Sequence, residues 1–184
     1  MKVLREFVTP AVDVTEATFK RFLRFPVQRE FEDAMAEAAQ WAREWFIQHG
    51  RPWLVATEAN STIKSLAPEQ WSASENLGLL VVSAGPEAEK EASERWENDE
   101  PDRYYFLECF AAAVVDTLLV QTRDELGAKR HYSPGYPEWS ISANVPLVAE
   151  INRALQIPGP LASLDSGMLM PKKSQIAVFN LPAA

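Results

Sequence analysis

Three stretches carry side chains whose type and spacing could do chemistry. The first is Asp116, the one charge between Phe110 and Gln121 in an otherwise apolar run. At helical spacing its neighbours are Ala112, Ala113, Leu119 and Val120. A carboxylate withdrawn from water needs a partner. Asp116 therefore either closes on an arginine or a backbone amide of its own chain, or it meets a cationic group of a ligand. The second stretch is His131-Tyr132-Ser133-Pro134-Gly135-Tyr136-Pro137. Pro-Gly at the centre of a turn predicts type II geometry, with the glycine supplying the positive φ. Extended backbone before such a turn offers edge amides to an adenine or a carboxylate, and Tyr136 projects from a rigid base. The same residues also read as an ordinary loop with an aromatic plug. The third stretch, LDSGMLMPKKS at 164–174, reads as a turn into a strand. Its methionines suit core filling, and Lys172-Lys173 suits a solvated tip.

These residues need elements to hold them. A helical pattern starts at Asp13-Val14-Thr15-Glu16, with Val14, Phe19, Phe22 and Leu23 apolar, and Pro26 stops it. A longer helix is predicted over 29–47, with one wide apolar face, and His49-Gly50 and Pro52 end it. Residues 53–56 read as a strand. Residues 60–76 are polar and irregular, with a helical turn after Pro68. The run LGLLVVS at 77–83 predicts a buried strand. An exposed helix over 87–96 and an acidic turn over 98–102 follow. The strongest helix, over 103–125, carries Asp116 and the stripe Phe106, Cys109, Phe110, Ala113, Thr117 and Val120, and Gly127 closes it. Seven of the thirteen prolines then lie between Pro134 and Pro182. A helix over 145–156 interrupts them, and QIAVFNL at 175–181 reads as a last strand. Strands separated by helices, with no repeat and no linker, predict a single α/β (α+β) domain over 1–184.

Composition narrows the chemistry. The chain has 184 residues, 47% apolar and 24% charged, with a formal net charge of −8. Such a chain can build a core of its own, and it repels phosphate backbones, so no nucleic-acid partner is expected. One cysteine, Cys109, and two histidines, His49 and His131, provide for neither a disulfide nor a zinc site. The N-terminus lacks the apolar block of a secretory signal, and no run approaches the roughly 18 apolar residues of a membrane span. A soluble, cytoplasmic protein is the expectation. Nucleotide-binding glycine loops, a nucleophile elbow and a D-x-H-x-x-G cobalamin-ligand pattern do not occur.

Taken in order, the motifs resemble the activation (reactivation) domain of vitamin B12-dependent methionine synthase, especially its small stand-alone relatives. The family's R-x-x-P-G-Y-P follows a long helix, and its T-E-S-x-x-M-x-P-x-x-S leads into a closing strand. Here they read HYSPGYP and LDSGMLMPKKS, and FKRFLRFP, LLVVSAGPE and FLECFAAAVVDTLL extend the likeness over 15–181. The resemblance implies a helmet-like α/β fold with a curved, mainly antiparallel sheet flanked by helices. It implies an S-adenosylmethionine-binding accessory module for reductive methylation of a corrinoid, within a cobalamin-dependent methionine synthase or related methyltransferase system. Cobalamin would come only through that partner protein, and the electron from a flavodoxin-like reductant.

By position, Asp116 would contact the ligand's amino-acid end and His131 its carboxylate. Ser133, Pro134 and Gly135 would hold the adenosyl part, and Tyr136 would stand at the methyl as the catalytic residue. His131 replaces the family's arginine, and Leu164 and Asp165 replace its Thr-Glu. A neutral imidazole lacks the bidentate fork of a guanidinium. Arg130 adjoins it, but successive side chains of an extended segment point to opposite faces. The resemblance thus leaves a second reading, a non-catalytic scaffold of the same fold that has lost its ligand. The first reading requires Asp116 and the Pro-Gly-Tyr bend to be neighbours walling one hollow.

Overall fold

A computed structural model describes residues 1–182. Strands β1 (Val3–Val8), β2 (Trp53–Glu58), β3 (Leu77–Ser83), β4 (His131–Tyr132) and β7 (Ser174–Asn180) form one open antiparallel sheet in the order β1-β2-β3-β7-β4. The short pair β5 (Ala162–Ser163) and β6 (Leu169–Met170) forms a separate hairpin. Every residue of β3 is buried, because alternate residues face two cores. Leu80 and Val82, with Leu54, Ala56, Ala177 and Phe179, face one core. Leu77, Leu79 and Val81, with Trp53, Ile176 and Val178, face the other. A period of two along each strand puts this division into the sequence.

The first core is roofed by α1 (Glu16–Phe22), α2 (Asp33–His49), α5 (Glu87–Glu97) and α6 (Pro101–Glu125). The second is covered by α3 (Ser61–Leu66), α4 (Glu69–Ser72), α7 (Asn144–Ala154) and the hairpin. Helix α6 is long and apolar enough to cross a membrane by length and composition. Yet more than half of its apolar stretch is buried, where Phe106, Leu107, Phe110, Ala113, Val114 and Leu118 pack in the first core. This corrects the reading that no run approaches such a length.

Other differences have local causes. Helix α6 starts at Pro101, because proline suits the first helical turn, and the acidic turn ends at Glu100. Two helices, α3 and α4, stand in the polar stretch 60–76. The Asn60 side chain accepts from the Ile63 amide at 2.9 Å as a cap, and Ile63 and Trp71 are buried in the second core with Leu66 packed against it. Strand β1 escapes the pattern reading because it is an edge, exposed at five of its six residues, so no apolar alternation marks it. Helices α2 and α7 and strand β7 begin or end one to four residues from the predicted bounds.

Candidate functional site

The bend after β4 is built as its sequence predicts. The Tyr136 amide donates to the Ser133 carbonyl at 3.1 Å, and Gly135 sits at φ 93°, which is type II geometry. Around Gly135 there is open space, the nearest atom to an added Cβ being 4.0 Å away. The glycine is therefore needed for its φ and not for room. Two further bonds lock the bend to buried Trp139: Gly135 donates to the Trp139 carbonyl at 2.7 Å, and the Trp139 amide donates to the Tyr136 carbonyl at 3.0 Å. Tyr132 is stacked between Trp71 and Trp139, with ring centroids 5.6 and 6.2 Å away. The buried Ser133 hydroxyl accepts from Gln175 of β7 at 2.9 Å. Pro134 is half-buried, and Tyr136, 40% exposed, stands out against the Tyr132 ring edge.

His131 joins this bend to α6. Its Nε2 lies 3.4 Å from the Tyr136 hydroxyl and its Nδ1 3.5 Å from Arg123 Nη1. Both long contacts fit one neutral tautomer, with Nδ1 bare toward the guanidinium. Burial pushes the His131 pKa below its ordinary range, and the Arg123 charge pushes it further, against the opposing pull of Asp116 and Asp124. Arg123 lies seven residues after Asp116, about two helical turns, hence on the same face of α6. Its Nε and Nη2 donate to Asp124 Oδ1 at 2.8 and 2.6 Å, which leaves Nη1 toward His131. Asp116 is itself paired, with Arg21 Nη2 of α1 at 2.5 Å from its Oδ2.

Side-chain contacts thus link Tyr136, His131 and Arg123, while Asp116 pairs separately with Arg21. Five surface hollows, of 310 to 890 Å³, lie elsewhere, and none is lined by Asp116, His131, Arg123 or Tyr136. The expected shared hollow is not among them. Arg130, just before β4, lines one of these hollows with Lys129, Trp71 and Asn180. Lys172 and Lys173 are not a free tip: they pair with Glu89 and Glu108 at 3.4 and 2.7 Å. Leu164-Asp165-Ser166-Gly167 forms the tight turn between β5 and β6, where Gly167 (φ 85°) lies so close to the Ile141 carbonyl that a Cβ would collide with it. Among the described residues no group of three His, Cys, Asp or Glu side chains is placed to hold a metal ion.

Two cations escaped the sequence reading. Arg123 could have been found from its i+7 spacing to Asp116. Arg21, 95 residues from Asp116, gave no local signal.

No protein-family model matches the chain, and no curated protein matches it. Among twelve solved chains that do match is a crystal structure of the MetH reactivation domain bound to AdoHcy. The likeness has a TM-score of 0.66 at 11% identity and covers 97% of this chain and 78% of that one. At that identity the likeness speaks for architecture. The five-stranded antiparallel sheet with its flanking helices has the fold of the MetH reactivation domain.

Proposed function

We propose that this protein is an S-adenosylmethionine-binding accessory module that supports reductive methylation of a corrinoid held by a separate methionine synthase or related methyltransferase in the cytoplasm. S-adenosylmethionine would supply the methyl group, and a flavodoxin-like donor one electron. No hollow shared by Asp116 and the bend supports the reading among the described residues; what carries it is the fold, with the Pro-Gly-Tyr bend after β4 and His131 bridging Tyr136 to Arg123 of α6. The donor set fits the ligand's chemistry. An ammonium suits Asp116, a carboxylate suits Arg123, and an aromatic ring such as Tyr136 suits a sulfonium. The backbone of Ser133, Pro134 and Gly135 is rigid enough to receive a nucleoside. Neutral His131 leaves the charge-assisted pair to Arg123, whose guanidinium would exchange its contact with the exposed Asp124 for the ligand's carboxylate.

Calorimetry with S-adenosylmethionine, S-adenosylhomocysteine and methylthioadenosine, which lacks the amino-acid end, tests this reading. The first two should bind more tightly than the third. Arg123→Met should weaken them by roughly ten- to a hundredfold, the worth of a charge-assisted pair, and leave methylthioadenosine unchanged. No heat and no thermal shift at millimolar ligand, in a folded sample, would overturn it.

A second reading is favoured by the Arg21–Asp116 pair and by the position of the hollows: a scaffold of this fold without the ligand. It predicts that neither Arg21→Ala nor His131→Arg brings binding into being.

A further inference from the structure

Away from this site, the segment 9–13 arches over the C-terminal half of α2. It is pinned at both ends: the Thr9 amide donates to the Pro52 carbonyl at 2.8 Å, and Arg43 Nη1 donates to the Val14 carbonyl at 2.8 Å. Thr9, a β-branched residue, is held at φ 50°, a costly conformation that persists only where its surroundings enforce it and that clusters at ligand clamps. Beneath the arch is a hollow of about 490 Å³, within the roughly 300–1,000 Å³ of small-molecule sites. Its surface is largely apolar, from Val12, Phe46, Ile47, Pro52 and Phe110.

One cation stands in that wall. The Arg43 guanidinium lies over the Phe110 ring at 5.3 Å and is half-buried. Only one of its five N–H groups has a partner among the described residues, and it makes no ion pair among them. Asp13 lines the same hollow without reaching ion-pair distance. A guanidinium backed by an aromatic face, with donors in a planar fork, is matched to a carboxylate. The apolar wall asks for a hydrocarbon body on that carboxylate.

We propose that this hollow binds an apolar monocarboxylic acid of medium chain length, its carboxylate on Arg43 and its chain along Phe46, Ile47 and Phe110.

Decanoate, decanol and decyltrimethylammonium titrated into the full chain, read by calorimetry and by amide shifts, test it. Decanoate should bind at least about tenfold more tightly than the other two, as a charge-assisted pair predicts, with shifts at 9–13 and the end of α2. Arg43→Met should remove that preference, and Arg43→Lys should keep part of it. Because Arg43 also holds the Val14 carbonyl, two milder variants guard against misfolding. Ile47→Asp, at a position 69% exposed, should weaken decanoate, and Asp13→Asn should strengthen it. Equal binding of all three probes, shifts confined to another surface, no binding, or an unchanged preference in folded Arg43→Met would overturn the proposal.

Discussion

Burial holds His131 neutral in the fold, with the Arg123 charge adding to it, and this has a thermodynamic consequence. The unfolded chain takes up its proton near the ordinary value of 6.5, the folded one only at lower pH. Between those values the unfolded state binds more protons, so stability is full above about pH 6.5 and falls as pH drops toward the folded value. Glu100 and Glu150, held low by hydrogen bonds from Arg95 and Arg153, act in the same direction only below about their ordinary 4.5. The urea midpoint should therefore fall between pH 7 and 5.5, and His131→Asn should remove that fall; a midpoint level across this window in the native chain would contradict the assignment. The two turn glycines give a second test. Gly135→Ala meets no atom closer than 4.0 Å and should cost about 1–2 kcal/mol for its left-handed backbone alone. Gly167→Ala adds a collision with the Ile141 carbonyl and should cost clearly more in the same denaturation assay. At this scale the sequence was informative where a residue is defined by its own neighbours. Pro-Gly-Tyr specifies its turn, and a lone aspartate in an apolar helix signals a partner. Arg21 was invisible because that partner comes from a helix joined only through the tertiary fold.

Among elements, α1 shows which interactions do the holding. Phe19, 1% exposed, meets Phe106 and Phe110 edge-on at centroid distances of 6.2 and 5.0 Å. The Arg21–Asp116 pair has its arginine side chain 62% exposed, and exposed pairs contribute about 0–1 kcal/mol. Phe19→Ala should cost about 3–5 kcal/mol and Arg21→Ala less than about 1 kcal/mol in chemical denaturation. Comparable losses would mean that the ion pair anchors the helix. The same contrast explains what could be read from sequence. Helices α2, α5, α6 and α7 and strands β3 and β7 are long enough for their apolar period to show. Strand β1 lies at an edge, and β4, β5 and β6 are two residues each, so only their partners define them.

At the scale of the molecule, helices cover both faces of the sheet, and among the described residues β1 and β4 are its edge strands. The proposed ligand residues lie in and just after β4 and on α6, joined by the contact of His131 with Arg123. An 11% identity with a shared fold over 97% of the chain shows how little of this architecture depends on particular side chains. Apolar alternation in the strands and apolar stripes on the helices suffice. Chemistry is less forgiving, and here a guanidinium from α6 stands next to His131, 3.5 Å from its Nδ1. The most direct test of that juxtaposition is amide shift mapping with S-adenosylhomocysteine. The account predicts saturable shifts at Ser133, Gly135 and Tyr136 and along α6 from Asp116 to Arg123, lost in Arg123→Met. Shifts absent at millimolar ligand, or confined to a surface that excludes the β4 edge, would contradict it.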